Sequence, residues 1–184
     1  MDRIIKRMTW IFVLLFTAAF FGACGAQTEP TEKPTAPAGW KEYTLQGAVI
    51  YLPEEFYESD TGTQKAKMLV PKDYPEHSDN VTFVNGEGSV AYFTEKSLRD
   101  QFEKDYKDQY GWTISDYTYQ KDKVGGVDRV ITRFNVNTDT IIMKQTVCQL
   151  CAKGKYISVT FTNVSGEFEE VFEKALESLQ MAGN

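Results

Sequence analysis

The clearest hydrophobic pattern in the chain lies near its C-terminus and predicts a helix. Ser165 is a suitable N-cap, and the acidic residues that follow it favour the positive end of the helix dipole. The apolar positions recur at the spacing of one helix face, and they are Phe168, Val171, Phe172, Ala175, Leu176 and Leu179. We expect this helix to bury its single stripe against a sheet.

A second helix is predicted earlier, over residues 95–110. Its apolar residues recur at intervals of four and form one narrow stripe on a charged surface: Leu98, Phe102, Tyr106 and Tyr110. Thr94 is a suitable N-cap, and Gly111 ends the pattern. This helix can cover part of a sheet.

Two long strands joined by a two-residue loop are predicted at residues 141–152 and 155–162. The loop sets a register with three core-facing pairs, which are Leu150 with Ile157, Cys148 with Val159, and Thr146 with Phe161. Cys151 lies opposite Tyr156 on the other face. Cys148 and Cys151 therefore point to opposite sides and cannot form a disulfide with each other. We expect Cys148 to be buried and Cys151 to be partly exposed.

Shorter strands complete the pattern. They are residues 43–52 on both sides of Gly47, 66–70, 81–84, 113–120 and the alternating stretch 129–136. Asn85-Gly86 is predicted as a turn, with residues 90–93 returning as a hairpin partner. The order of strands and helices predicts an α+β fold, in which an antiparallel sheet carries two main helices on one face.

The N-terminal segment has the features of an export signal. Basic residues precede an uncharged apolar core at residues 10–21. Phe21-Gly22-Ala23-Cys24 resembles the lipobox of bacterial lipoproteins. The resemblance implies that residues 1–23 are a signal peptide and that Cys24 is the lipid attachment site, on the extracytoplasmic side of the cell membrane. The alternative is an ordinary cleaved signal and an unmodified Cys24.

The segment after the signal predicts a tether followed by one domain. Residues 24–40 are rich in proline and threonine, which is typical of a disordered spacer, and residues 41–184 form a single domain. The whole chain has a formal charge of −6 and residues 1–23 carry +2, so the mature chain stands at −8. An acidic surface argues against nucleic acid as a partner and against lying flat on anionic lipid, so we expect no nucleic-acid partner.

The residue types that carry catalysis are scarce. The single histidine, His77, lies in a polar loop, and nothing in the sequence places it beside a nucleophile. Cys148 and Cys151 form a C-x-x-C in mid-strand, where a zinc site would lack further ligands. We therefore expect no enzyme, no cofactor and no metal. Two alternatives stay open, which are a thiol-dependent enzyme using Cys151 and a small-molecule carrier with a pocket between sheet and helix.

One aromatic cluster is the candidate partner-binding face. Its five members lie within fourteen residues and span the end of the first helix and the next strand: Tyr106, Tyr110, Trp112, Tyr117 and Tyr119. Rings with polar edges are common on binding surfaces. The alternative is that these rings fill the interface between helix and sheet.

The order of elements resembles PsbP-like and Mog1-like domains, including DcrB-type bacterial lipoproteins. The resemblance runs from Trp40 to Met181 and is carried by a strand pair around Gly47, a central helix, the turn at residues 124–129, the hairpin at 141–162 and a final amphipathic helix. It implies the α+β fold. Such domains are mostly binding or assembly modules. Together with the lipobox-like segment, the resemblance leads us to expect a non-catalytic binding or assembly module of the cell envelope, anchored to the membrane, with an envelope protein as partner.

Overall fold

The structure is a computed structural model that describes residues 35–74 and 78–182. The predicted signal peptide, Cys24 and His77 lie outside the described residues. The strands are β1 Trp40–Leu45, β2 Ala48–Pro53, β3 Tyr57–Ser59, β4 Ala66–Val70, β5 Asn80–Glu87, β6 Thr113–Val124, β7 Val127–Asn137, β8 Ile142–Ala152, β9 Lys155–Asn163 and β10 Gln180–Met181. The helices are a 3-10 turn at Val90–Tyr92, α1 Glu95–Tyr110 and α2 Glu169–Ser178.

The strands form two antiparallel sheets. The large sheet has seven strands in the order β3-β4-β5-β9-β8-β7-β6, and the small sheet has the order β1-β2-β10. The β8–β9 register pairs Leu150 with Ile157 and Cys148 with Val159, as predicted from the two-residue loop. The α+β class and the antiparallel sheet are therefore confirmed.

The large sheet carries a hydrophobic core on each of its two faces. The first core joins one face to α2 and the small sheet, and it includes Ile131, Cys148, Leu150, Val159 and Phe172. The second core joins the other face to α1, and it includes Phe102, Tyr106, Val130, Phe134 and Val147. Alternation along β7 and β8 sends neighbouring residues into different cores.

The two helices consequently lie on opposite faces of the large sheet, and the prediction that both pack on one face is wrong. The central strands are apolar on both sides. In β8, Val147 and Cys151 enter the second core while Cys148 and Leu150 enter the first. A strand that sends apolar side chains to both sides needs cover on both faces.

The ends of α1 match the prediction because local signals set them. Thr94 Oγ1 accepts a hydrogen bond from the amide of Ser97 over 3.2 Å, and Gly111 adopts a φ of 74° at the C-cap. Ion pairs one turn apart, such as Arg99–Glu103 at 2.8 Å, lie on the exposed side.

The predicted turn at Asn85-Gly86 is wrong. Both residues continue β5, where Asn85 pairs with Ile157 and Gly86 with Tyr156, and residues 90–92 form the 3-10 turn rather than a strand. The glycine is explained by close approach, since a Cβ on Gly86 would lie 2.6 Å from the Tyr156 ring.

The predicted cap of the last helix is also wrong. Helix α2 begins at Glu169 with Phe168 as its N-cap, whereas Ser165 Oγ accepts a hydrogen bond from the amide of Glu167 over 3.1 Å. The carboxylate of Asp79 accepts hydrogen bonds from the amides of Val164 and Ser165. This bonding holds the segment in a turn, so the helix starts later.

Candidate functional site

The aromatic cluster lies where α1 ends and β6 begins, and its members sit at different depths. Tyr106 is 4% exposed and belongs to the second core. Its hydroxyl donates a hydrogen bond to Gln145 Oε1 over 2.6 Å. Burial raises the pKa of this phenol above its ordinary value of 10.0. Tyr106 is thus a core residue, and its assignment to a surface binding face is wrong.

Tyr117 and Tyr119 connect β6 to the α1 layer. Tyr117 stacks on Phe134 with ring centroids 6.2 Å apart, and the Arg99 guanidinium lies 5.8 Å from its centroid. Tyr119 donates its hydroxyl proton to the carbonyl of Phe93 over 2.9 Å. Burial raises the pKa of Tyr117 to about 12. These half-buried rings fit the alternative interpretation, in which the cluster fills the helix–sheet interface.

Tyr110 and Trp112 are half-buried like Tyr117 and Tyr119 but stack on each other, and we call them the aromatic pair. Their rings stack with centroids 4.8 Å apart and planes inclined by 28°. Gly111 separates them in a left-handed conformation that reverses the chain after α1. Both rings are half-buried, with one side on the second core. Each ring therefore covers part of the other and leaves only a part of its own surface exposed.

Sequence reasoning missed two exposed side chains at the same end of the sheet. Ile141 is 41% exposed and Ile142 is 61% exposed, at the turn from β7 into β8. Asn137 pairs with Thr113 on one side and with Ile142 on the other, which places this turn next to the start of β6. Both isoleucines fitted the apolar pattern of a buried strand, which hid their exposure. The signal that could have revealed it was their position directly after a polar turn.

The two thiols are both buried. Cys148 is 0% and Cys151 is 6% exposed, and both are free, as expected from their opposite orientations. The prediction that Cys151 is partly exposed is wrong, because its face of β8 is covered by the second core, with Tyr156 opposite it. Burial raises the pKa of each thiol from 9.0 to about 12. The nucleophilic thiolate is therefore scarce at neutral pH.

Residues 35–74 and 78–182 hold no group of three or more histidine, cysteine, aspartate or glutamate side chains placed to bind a metal ion. Within the same ranges, none of the helices combines the length and the apolar character that crossing a bilayer requires.

A small cleft lies between α2 and the large sheet, where the carrier alternative places a pocket. Its volume is about 160 Å³, and its lining includes five charged side chains, of which Asp116 accepts a hydrogen bond from Asn135 and the other four are paired with each other. These four form two ion pairs, Arg133–Glu173 at 2.8 Å and Lys144–Glu169 at 2.6 Å. The cations are already neutralised, so a ligand would have to displace a carboxylate. This charged lining does not favour an apolar cargo.

Solved structures with the same fold are found, although no protein-family model and no curated protein matches the chain. The cyanobacterial PsbP protein CyanoP from a Synechocystis species is 14% identical, covers 87% of this chain and 98% of its own, and has a TM-score of 0.63. The Ran-binding protein Mog1p from Saccharomyces cerevisiae is 9% identical, covers 77% and 95%, and has a TM-score of 0.51. A Bacteroides thetaiotaomicron protein is 12% identical, covers 79% and 50%, and has a TM-score of 0.51.

These likenesses cover 77–87% of the chain. At such low identity they concern the path of the chain and not its activity. The described domain therefore has the PsbP/Mog1-like α+β fold.

Proposed function

We propose that this chain is a membrane-anchored extracytoplasmic lipoprotein whose domain is a non-catalytic binding or assembly module of the cell envelope. The N-terminal segment up to Cys24 supports the anchor, because it combines a basic start, a short apolar core and a lipobox-like end. Several acyl chains on one cysteine would hold the protein stably, whereas one chain would not.

The buried side chains support a non-catalytic role. Both thiols are enclosed in the cores with pKa values raised to about 12, and the Tyr106 phenol is satisfied by Gln145. Groups of this kind are structural, since a nucleophile needs access and a lowered pKa. Mog1p is a Ran-binding protein, so a binding module occurs on this fold in at least one other protein.

The aromatic pair is the observation that carries the binding role. Tyr110 and Trp112 stack on each other at the surface, and neither ring fills the interior of a core. Rigid amphipathic rings with few rotatable bonds are favourable anchors for a protein partner, because little conformational entropy is lost on binding. We therefore assign the partner-binding face to Tyr110 and Trp112, with an envelope protein as partner.

A pull-down from solubilised membranes tests this role. Trp112→Ala should reduce recovery of the partner while changing the free energy of unfolding by about 1 kcal/mol or less. Tyr57→Ala is the matched control, because Tyr57 is an exposed aromatic residue on the opposite edge strand β3, and it should leave recovery unchanged. A loss of stability of about 3–5 kcal/mol in Trp112→Ala would mean that the ring is core, and the face would not exist.

A further inference from the structure

The turn from β7 into β8 is held rigidly by one threonine. The hydroxyl of Thr138 accepts hydrogen bonds from the amides of Thr140 and Ile141, over 3.2 and 3.0 Å, and donates to the carbonyl of Ile141 over 2.9 Å. The amide of Thr138 donates to the same carbonyl over 3.0 Å. Such bonding fixes the direction of the side chains that follow, so their contact with a partner costs little ordering entropy.

This turn presents two adjacent aliphatic side chains, and we call Thr138–Ile142 the isoleucine turn. The large hydrophobic residues that are exposed in the described ranges are Tyr57, Tyr92, Ile141 and Ile142. The tyrosines carry a polar hydroxyl, whereas the isoleucines expose only hydrocarbon. Met143, the next residue, points to the other face of β8 and is buried in the second core, which anchors the end of the turn.

The chain enters the domain beside the start of α2. The carbonyl of Gly39 accepts a hydrogen bond from the amide of Glu54 over 3.1 Å, at the end of β2. Two residues further on, Phe56 packs edge-on against Phe168 with ring centroids 5.5 Å apart. Phe168 is the N-cap of α2, so the N-terminal tether joins the domain at this end of the helix.

The same helix start contacts the strand that carries the isoleucine turn. The Lys144 ammonium forms an ion pair with Glu169 over 2.6 Å, and Lys144 lies two residues after Ile142. The start of α2 therefore contacts both the point where the tether joins the domain and the strand that carries the isoleucine turn. Cys24 precedes Gly39 by 15 residues, and a chain of that length spans at most about 50 Å. A lipid on Cys24 would keep this end of the domain within reach of the bilayer.

From these observations we propose that Ile141 and Ile142 insert into the surface of the bilayer and orient the tethered domain. The proposal rests on the lipid anchor proposed above. Two exposed isoleucines offer far less apolar area than the roughly 800 Å² per partner that a stable protein interface buries. Tethering lets a weak contact persist, because it raises the effective concentration of the second site. The contact would also place the aromatic pair near the membrane, where a membrane-held partner could reach it.

The charge of the turn predicts which lipid it prefers. Thr140 is neutral and exposed and can hydrogen-bond headgroups, whereas Asp139 carries the only charge within the turn. An anionic headgroup would repel Asp139, while a zwitterionic headgroup would not. We therefore expect insertion into phosphatidylcholine to be stronger than insertion into phosphatidylglycerol, and to be insensitive to salt.

Site-specific fluorescence on the mature, membrane-purified protein tests the insertion. A polarity-sensitive label is attached at Thr140→Cys, which leaves both isoleucines in place, and in a second sample at Lys155→Cys. Thr140 and Lys155 are both exposed, and Lys155 lies at the opposite end of the β8–β9 hairpin. The buried thiols Cys148 and Cys151 should not take up the label. Both samples are reconstituted in phosphatidylcholine vesicles that contain a doxyl-labelled quencher lipid, and flotation confirms attachment.

The proposal predicts quenching and a blue-shifted emission at Thr140→Cys and neither at Lys155→Cys. Adding Ile141→Ser and Ile142→Ser should abolish the effect while the protein still floats. A floating protein with both labels unquenched would overturn the insertion and leave the anchor intact. A blue shift without quenching that grows with protein density would indicate contact with a second copy, which also overturns it. Failure to float would overturn the anchor itself.

Discussion

The hydroxyl of Tyr106 on α1 donates a hydrogen bond to the side-chain oxygen of Gln145 on β8, over 2.6 Å and inside the second core. The amide nitrogen of Gln145 in turn donates to the hydroxyl of Thr162 on β9 over 3.3 Å. This chain of bonds fixes the depth at which α1 sits on the sheet. It also allows a polar pair to lie among apolar side chains, because buried polar atoms need partners.

Removing the phenolic hydroxyl should therefore destabilise the domain. Tyr106→Phe leaves the Gln145 oxygen without its short hydrogen bond, and we expect a loss of about 1–2 kcal/mol in the free energy of unfolding. Tyr110→Phe is the matched control, since this ring lies one turn further along α1 and is half-buried, and it should change stability by about 0.5 kcal/mol or less. Urea unfolding of both variants decides the matter, and equal losses would contradict a special role for Tyr106.

The difference between these two tyrosines explains which parts of the site could be predicted. Tyr106 and Tyr110 occupy the same stripe of α1 at a spacing of four, so the pattern alone treats them alike. The depth to which each ring is buried depends on where the sheet ends beneath the helix, and that is a tertiary property. By contrast, Thr94 and Gly111 act on their own neighbours, so the ends of α1 follow from the sequence.

Strand pairing shows the same difference between features set by neighbouring residues and features set by tertiary contacts. The β8–β9 register was predictable because a two-residue loop permits one pairing. The faces on which the two helices pack could not be predicted, because β8 is apolar on both faces and its sequence does not indicate which helix covers each face. Gly86 was misassigned to a turn because the Tyr156 ring that requires it comes from β9, seventy residues later.

The contact at Gly86 gives a steric prediction. A methyl group at Gly86 would lie 2.6 Å from the ring of Tyr156, so Gly86→Ala should cost about 1–3 kcal/mol through overpacking. The cost should shrink in a Tyr156→Ala background, where the ring is absent. A double-mutant cycle measured by urea unfolding gives this coupling directly. A cost that is the same in both backgrounds would show that the backbone, and not the ring, requires glycine.

The two cysteines predict a loss of stability at alkaline pH. The folded protein holds both thiols protonated up to a pKa of about 12, whereas an unfolded thiol ionises near 8.5. The contribution of the two protonated thiols to the free energy of unfolding is fully present below the unfolded pKa and is lost as pH rises towards 12. Between pH 8 and pH 10, the free energy of unfolding should fall less steeply in Cys151→Ala than in the parent protein. Parallel pH profiles would contradict the burial of Cys151.

Chemical labelling provides a direct check on the same thiols. Both Cys148 and Cys151 should resist alkylation at pH 8 in the folded protein and react readily in urea, because each lies in a core. Peptide mapping after a short pulse of reagent reports each site separately. Rapid labelling of Cys151 alone would mean that its face of β8 is open.

The most direct test of the central claim is the fate of Cys24→Ser in cells grown with an alkyne-labelled fatty acid. The parent protein should carry the label on Cys24, lack residues 1–23 and appear in the membrane fraction. Cys24→Ser should lose the label and either leave the membrane fraction or persist as the unprocessed precursor. A Cys24→Ser protein that remained lipid-labelled and membrane-bound, at the mature mass, would contradict the assignment of this chain as a lipoprotein anchored through that cysteine.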